Sequence, residues 1–179
     1  MEAGTRIRAW RVATRSWPPL AAWGAGLIQL ALGAGAITGE DAGARLPGIL
    51  VAIVGTASLV WGGVRLGGRP ATTAGMIVAL SGIVATTAVL MAAPARTSVL
   101  AAAAAVMLAA VTGAVTGRER RVRRTRVADP PPASRAAVTG ILIGALAVAG
   151  IVTPALGATE AGRLAPAHHL PAVDVPGHH

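Results

Sequence analysis

The chain has 179 residues, of which 54% are hydrophobic and only 13% charged, and its mean hydropathy is +0.63. These values exclude a polar, charge-rich disordered chain. Aromatic residues make up 2% of the sequence and Cys is absent, which excludes an aromatic-rich soluble core, disulfides and thiolate metal sites. The composition instead predicts a membrane protein, because a lipid bilayer can surround apolar surface that a soluble protein would have to bury in a large core.

Five segments meet the criterion of about 20 predominantly apolar residues for a membrane-crossing helix. They are 18–38, 46–66, 72–92, 97–116 and 136–158. Arg65, at the end of the second segment, is the one charged residue they contain. We therefore predict an all-α integral membrane protein with five transmembrane helices in a bundle packed through small residues. A four-span alternative stays open, because the run 101–105 is all Ala and contributes little transfer free energy.

The arginines predict how these segments are oriented. All 16 basic residues are Arg, against seven acidic residues. With five crossings, 13 of these arginines fall on the side of the N-terminus and only Arg45, Arg96 and Arg163 on the other. Because cytoplasmic loops carry an excess of basic residues, we predict a cytoplasmic N-terminus, an extracytoplasmic C-terminus and a plasma or inner membrane location.

The first 17 residues form a basic arm ahead of the first span. Ile7, Trp10, Thr14 and Trp17 recur at a spacing of three or four residues, which predicts a short helix lying on the lipid surface. A cleaved signal peptide is the alternative, since residues 34–36 read Ala-Gly-Ala. The apolar stretch is about 20 residues long, however, which exceeds the usual 7–15 of a signal peptide.

Small residues are expected to hold the helices together, because lipid tails are as apolar as Leu and give no drive to bury Leu on Leu. The fourth span has small residues at every fourth position, which predicts that it is the central helix. The predicted packing residues are Ala101, Ala105, Ala109, Gly113 and Gly117, with Gly140 and Gly144 in the fifth span. Gln29 in the first span is predicted to bond Ser or Thr of another helix, with a ligand or ion contact as the alternative.

A basic loop is predicted at 117–135. Its arginines are Arg118, Arg120, Arg121, Arg123, Arg124 and Arg126. We expect them to fix the orientation of the neighbouring spans and to contact anionic lipid head groups or an acidic partner. Nucleic acid is not expected as a partner, because no aromatic side chains are interleaved for base stacking.

All four histidines lie in the predicted extracytoplasmic tail 159–179, as His168, His169, His178 and His179. Imidazole suits Cu, Zn and Ni, so one hypothesis is that this tail collects a divalent transition metal. The alternative is a solvated tail in which the histidines have no role.

No Asp, Glu or His lies within a span, and no catalytic motif is present. We therefore expect a non-enzymatic polytopic membrane protein, an accessory or assembly subunit that packs against itself or within a membrane complex. The alternatives are a metal-handling protein that uses the His tail and a small uncoupled permease or channel lined by Gln29 and scattered Ser and Thr. No motif identifies a family.

Overall fold

The computed structural model describes residues 17–39, 41–68, 72–123 and 135–159. Across these ranges the chain is helical, with five helices and no strand. In chain order they are α1 (Trp17–Thr38), α2 (Ala42–Leu66), α3 (Thr72–Ala92), α4 (Val99–Arg123) and α5 (Arg135–Gly157). The predicted all-helical architecture is confirmed for this part of the chain.

Each of the five helices is long and apolar enough to cross a membrane. The shortest, α3, has 21 residues, which at 1.5 Å per residue gives a length of about 31 Å. That length matches a hydrocarbon core of about 30 Å.

Helix α2 begins four residues before the predicted segment because Asp41 caps it. Asp41 has extended backbone angles, and its carboxylate accepts a hydrogen bond from the backbone N–H of Gly43 at 2.9 Å. This satisfies one of the N–H groups that a helix start leaves without an intrahelical partner. Pro47 lies inside this helix, where it removes one backbone hydrogen bond.

Helix α4 runs past the predicted end of the fourth span, so the first seven residues of the predicted basic loop are helical. Arg and Glu are good helix formers, and a helix can continue into water after it has left the bilayer. The apolar criterion therefore located the edge of the apolar segment rather than the end of the helix.

The central helix is α1, so the prediction that the fourth span is central was wrong. Helix α1 contacts all four other helices, and 56% of its apolar window is buried, against 44% for α4 and 22–28% for the others. The reason is that α1 carries small residues on several faces. A Cβ atom on Gly24 would lie within 3.0 Å of Val148, Val152 and Leu108, whereas Gly26 faces α2.

The remaining helices surround α1. Helix α3 packs against both α2 and α4, the helices that precede and follow it in the chain. Helix α5 packs mainly on α1 and only slightly on α4. One apolar core lies between α1, α4 and α5 and includes Ile28 and Ala105. A second lies between α1, α2 and α3 and includes Val51 and Val89.

Candidate functional site

The antiparallel pair α1 and α2 is held at backbone contact by glycines. A Cβ atom on Gly26 would lie 2.7 Å from the carbonyl oxygen of Gly55, and one on Gly55 would lie 2.9 Å from the carbonyl oxygen of Gly26. Seven residues along, a Cβ atom on Gly33 would lie 2.7 Å from the carbonyl oxygen of Gly48. Contacts below 3.0 Å leave no room for a side chain at these positions.

The spacing of these glycines is seven residues on both helices. Gly26 and Gly33 face Gly55 and Gly48, and Gly62 continues the series on α2. A seven-residue repeat keeps one seam facing a partner when two helices coil left-handedly. This repeat is a sequence signal for the closest helix pair, and a search for small residues at every fourth position does not detect it.

The Gly62 position is covered by an aromatic side chain. The indole of Trp23 lies against Gly62, and its N–H donates to the backbone carbonyl of Leu59 at 2.9 Å. A side chain at Gly62 would displace this ring. The α1–α2 pair is therefore fixed by backbone contact along its length and by an interhelical hydrogen bond near one end.

The predicted packing residues of α4 divide into two groups. Ala101, Ala105 and Ala109 are buried in the core shared with α1, and a Cβ atom on Gly113 would meet Ala79 of α3 at 3.2 Å. A Cβ atom on Gly117 would have no neighbour within 4 Å. The expectation that Gly117 marks a close approach is therefore corrected for the described residues, because the ridge leaves the core at its last turn.

The two predicted glycines of α5 face the bundle. Gly140 is buried, and a Cβ atom on Gly144 would lie 3.0 Å from Leu20 and 3.2 Å from Trp17. Gly144 therefore allows α5 to pack closely on the first turn of α1.

Gln29 is fully buried between α1, α2 and α3. Its Nε2 donates to Thr86 Oγ1 at 3.4 Å, and its Oε1 accepts from Ser58 Oγ at 3.5 Å. The amide nitrogen also lies 2.7 Å from the position that a Cβ atom on Gly82 would occupy. The structure thus brings Gln29 to one Thr and one Ser on two other helices, with Gly82 making the space for it.

The Gln29 hydrogen bonds are long, and Ser58 has only one proton to donate. Its hydroxyl lies 2.9 Å from the carbonyl oxygen of Val54, which is a better acceptor distance than 3.5 Å to Gln29. The Ser58 proton is therefore held mainly within α2. The contact with Ser58 therefore contributes little to the binding of the Gln29 amide, and the side chain is held in place mainly by packing.

An ion pair joins the ends of α2 and α4. A guanidinium nitrogen of Arg65 contacts a carboxylate oxygen of Glu119, and the two side chains are 8% and 20% exposed. The Arg65 guanidinium carbon lies 5.9 Å from the centroid of the Trp61 ring, which is within cation–π range. The Nε of Arg65 is buried and has no hydrogen-bond partner among the described residues.

Sequence reasoning missed this ion pair. It counted Arg65 among the basic residues near the membrane surface and Glu119 as part of the basic run. The available signal was that Glu119 is the one acidic residue inside an Arg-rich run, because a lone carboxylate there suggests a specific partner.

The remaining predicted arginines have different positions. Arg118 and Arg121 are exposed near the end of α4, and Arg120 is half-buried. Arg123 is the last residue of α4, and Arg124 and Arg126 lie outside the described residues. The N-terminal arm 1–16 also lies outside them.

The four histidines lie outside the described residues, so metal binding by the tail stays a prediction. Within the described ranges no group of three His, Asp or Glu residues is placed to hold a metal ion.

Two apolar depressions lie on the described bundle. One, of about 120 Å³, lies between α1, α4 and α5 and is lined by residues that include Trp17, Leu108 and Gly144. The other is an open groove of about 630 Å³ between α2 and α3, with Trp61 in its lining.

No family model, curated protein or solved structure matches the chain. The class of protein is therefore read from the fold itself. Five apolar helices of membrane-crossing length, four of them packed around α1, fit a polytopic membrane protein.

Proposed function

We propose that this chain is a non-enzymatic accessory or assembly subunit, which packs against itself or within a larger complex in the plasma or inner membrane. The observation that carries the proposal is the amount of apolar surface on the peripheral helices. Leu146 of α5 is 73% exposed, Val84 of α3 is 68% exposed and Val60 of α2 is 62% exposed. In a bilayer such surface is available to lipid or to a partner helix.

The distribution of charge supports the proposed orientation. The end of the bundle where α2 and α4 finish carries Arg65, Arg118, Arg120 and Arg121. The opposite end carries Arg45 and Arg96, together with Asp41. The positive-inside rule assigns the more basic end of a bundle to the cytoplasm, and this supports the proposed cytoplasmic N-terminus.

Site-specific crosslinking in native membranes tests the accessory role. A photoreactive residue at Leu146 samples the exposed face of α5, and the same residue at Ile28, which is fully buried, is the matched control. We expect the Leu146 probe, but not the Ile28 probe, to crosslink to one protein, either a second copy or a distinct subunit. That protein should also co-purify in constant stoichiometry in mild detergent. A monomer whose probe forms adducts with lipid alone would contradict the proposal.

A further inference from the structure

The groove between α2 and α3 is an open, apolar depression on the outer face of the bundle. On α2 it is lined by residues that include Ile53, Val60 and Val64, and on α3 by Ala74 and Val78. Trp61 lies against Gly75 at one end and is 4% exposed. The ring therefore separates the two helices at this end and leaves the depression beside it.

The length of the groove matches one leaflet of a bilayer. From Ile53 to Val64 the α2 backbone rises about 16 Å at 1.5 Å per residue. Half of a hydrocarbon core of about 30 Å is about 15 Å. A single acyl chain that enters from the Val64 end would therefore reach the bilayer midplane beside Ile53.

Positive charge lies at the Val64 end of the groove. Arg65 follows Val64 in the chain and pairs with Glu119 of α4. Arg118 and Arg120 flank Glu119, so their Cα atoms lie about 3.8 Å from that of Glu119. With Arg121, these residues give four positive charges and one negative charge at the same end of the bundle as Val64.

We propose that this groove binds one anionic phospholipid, with an acyl chain along α2 and α3 and the phosphate beside the arginines of α4. The ion pair between Arg65 and Glu119 ties this end of α4 to the end of α2 that borders the groove. A second copy of the chain is a poorer occupant of this groove, because a parallel copy seated here would bring two clusters of like charge together; packing of a second copy on the face of α5 is not affected. The inference needs the chain to lie in a membrane but does not depend on the accessory role.

Native mass spectrometry of the full-length, delipidated protein in non-ionic detergent tests the binding. Phosphatidylglycerol and phosphatidylcholine with identical acyl chains are the two probes. We expect the first phosphatidylglycerol to bind at least tenfold more tightly than phosphatidylcholine. Equal affinities for the two lipids, or a protein dimer in place of a lipid adduct, would overturn the inference.

Ala57→Leu tests the acyl-chain part of the site. Ala57 lines the groove and is exposed, so Leu fills the groove without disturbing the core. Ala110→Leu is the matched control, since Ala110 is exposed on α4 and lines neither apolar depression. We expect Ala57→Leu to weaken phosphatidylglycerol binding at least fivefold and Ala110→Leu to leave it unchanged. Equal binding by the two variants would contradict an acyl chain in this groove.

Arg118→Gln and Arg120→Gln test the head-group part of the site. Each should weaken phosphatidylglycerol binding about fivefold, the equivalent of about 1 kcal/mol per Arg near a lipid surface, and leave phosphatidylcholine binding unchanged. An equal loss for both lipids would contradict phosphate recognition. Failure of these tests would leave the accessory role intact, since that role is tested by a co-purifying protein.

Discussion

Trp23 donates its indole N–H to the backbone carbonyl oxygen of Leu59 at 2.9 Å, across the interface of α1 and α2. The ring can reach this carbonyl because Gly62, one turn further along α2, has no side chain. The hydrogen bond from Trp23 to Leu59 therefore depends on the close approach of α1 and α2 at Gly62.

Replacing Trp23 with Phe should test the hydrogen bond with most of the apolar contact kept. We expect the free energy of unfolding to fall by about 0.6 kcal/mol, the average for interhelical hydrogen bonds in membranes, and by no more than about 1.7 kcal/mol. The measurement is helix content by circular dichroism during titration of detergent-solubilised protein with SDS. Leu27→Phe is the control, since Leu27 is 43% exposed. Equal stability of Trp23→Phe and the wild type would mean that the hydrogen bond contributes nothing.

Gly55→Ala should destabilise the α1–α2 pair. The new Cβ atom would lie 2.9 Å from the Gly26 carbonyl oxygen, and neither backbone can yield without separating the helices. We expect a loss of about 1–3 kcal/mol, as for other cases of overpacking, in the same SDS titration.

The control for Gly55→Ala is Gly63→Ala on the same helix. A Cβ atom on Gly63 meets nothing within 4 Å, and Ala favours a helix over Gly by about 1 kcal/mol. Gly63→Ala should therefore leave stability unchanged or raise it. If both variants had the same effect, the close approach of Gly26 and Gly55 would not be a source of stability.

Gln29→Leu should cost little. The two hydrogen bonds of the Gln29 amide are 3.4 and 3.5 Å long, at the long limit for such bonds, and Ser58 keeps its bond to the Val54 carbonyl oxygen when Gln29 is replaced. Gln29→Ala should instead lose about 2–4 kcal/mol, because it leaves a cavity among α1, α2 and α3. Thermal unfolding in detergent distinguishes these outcomes. If the Leu variant were as unstable as the Ala variant, the amide bonds would be essential.

The ion pair between Arg65 and Glu119 can be measured with a double-mutant cycle. Arg65→Gln and Glu119→Gln each leave a mostly buried charge without its partner, and each should cost about 2 kcal/mol, below the 3–5 kcal/mol of a fully buried pair. The double variant should lose less than the sum of the two losses. Arg121→Gln, on an exposed side chain, should change stability by no more than about 0.5 kcal/mol. Strict additivity would show that the two residues are not coupled.

The five helices could be predicted from the sequence because each depends on a local run of apolar residues. Their ends were harder to predict, because helices do not stop where apolar residues do. Asp41 caps α2 one turn before its apolar run begins, and α4 continues through Arg118 and Arg120 after its apolar run ends.

The arrangement of the helices could be predicted only in part. The i, i+4 ridge of Ala101, Ala105 and Ala109 indicated a buried face on α4, and this face is buried in the structure. Which helix is central depends on which faces meet, as Gly26 meets Gly55. The seven-residue glycine repeat marks a close-packing face on each of the two helices, but the pairing of Gly26 with Gly55 joins residues 29 positions apart, and the repeat alone does not specify which helices meet.

The most direct test of the proposed five-span topology uses single cysteines in the full chain, which has none of its own. Gly67→Cys lies in the turn after α2, and Ala95→Cys lies in the turn after α3; both positions are exposed. In intact cells a membrane-impermeant maleimide should label Ala95→Cys, and should label Gly67→Cys only after the cells are permeabilised. Labelling of both cysteines in intact cells, or the reverse pattern, would contradict the proposed crossing between them and its orientation.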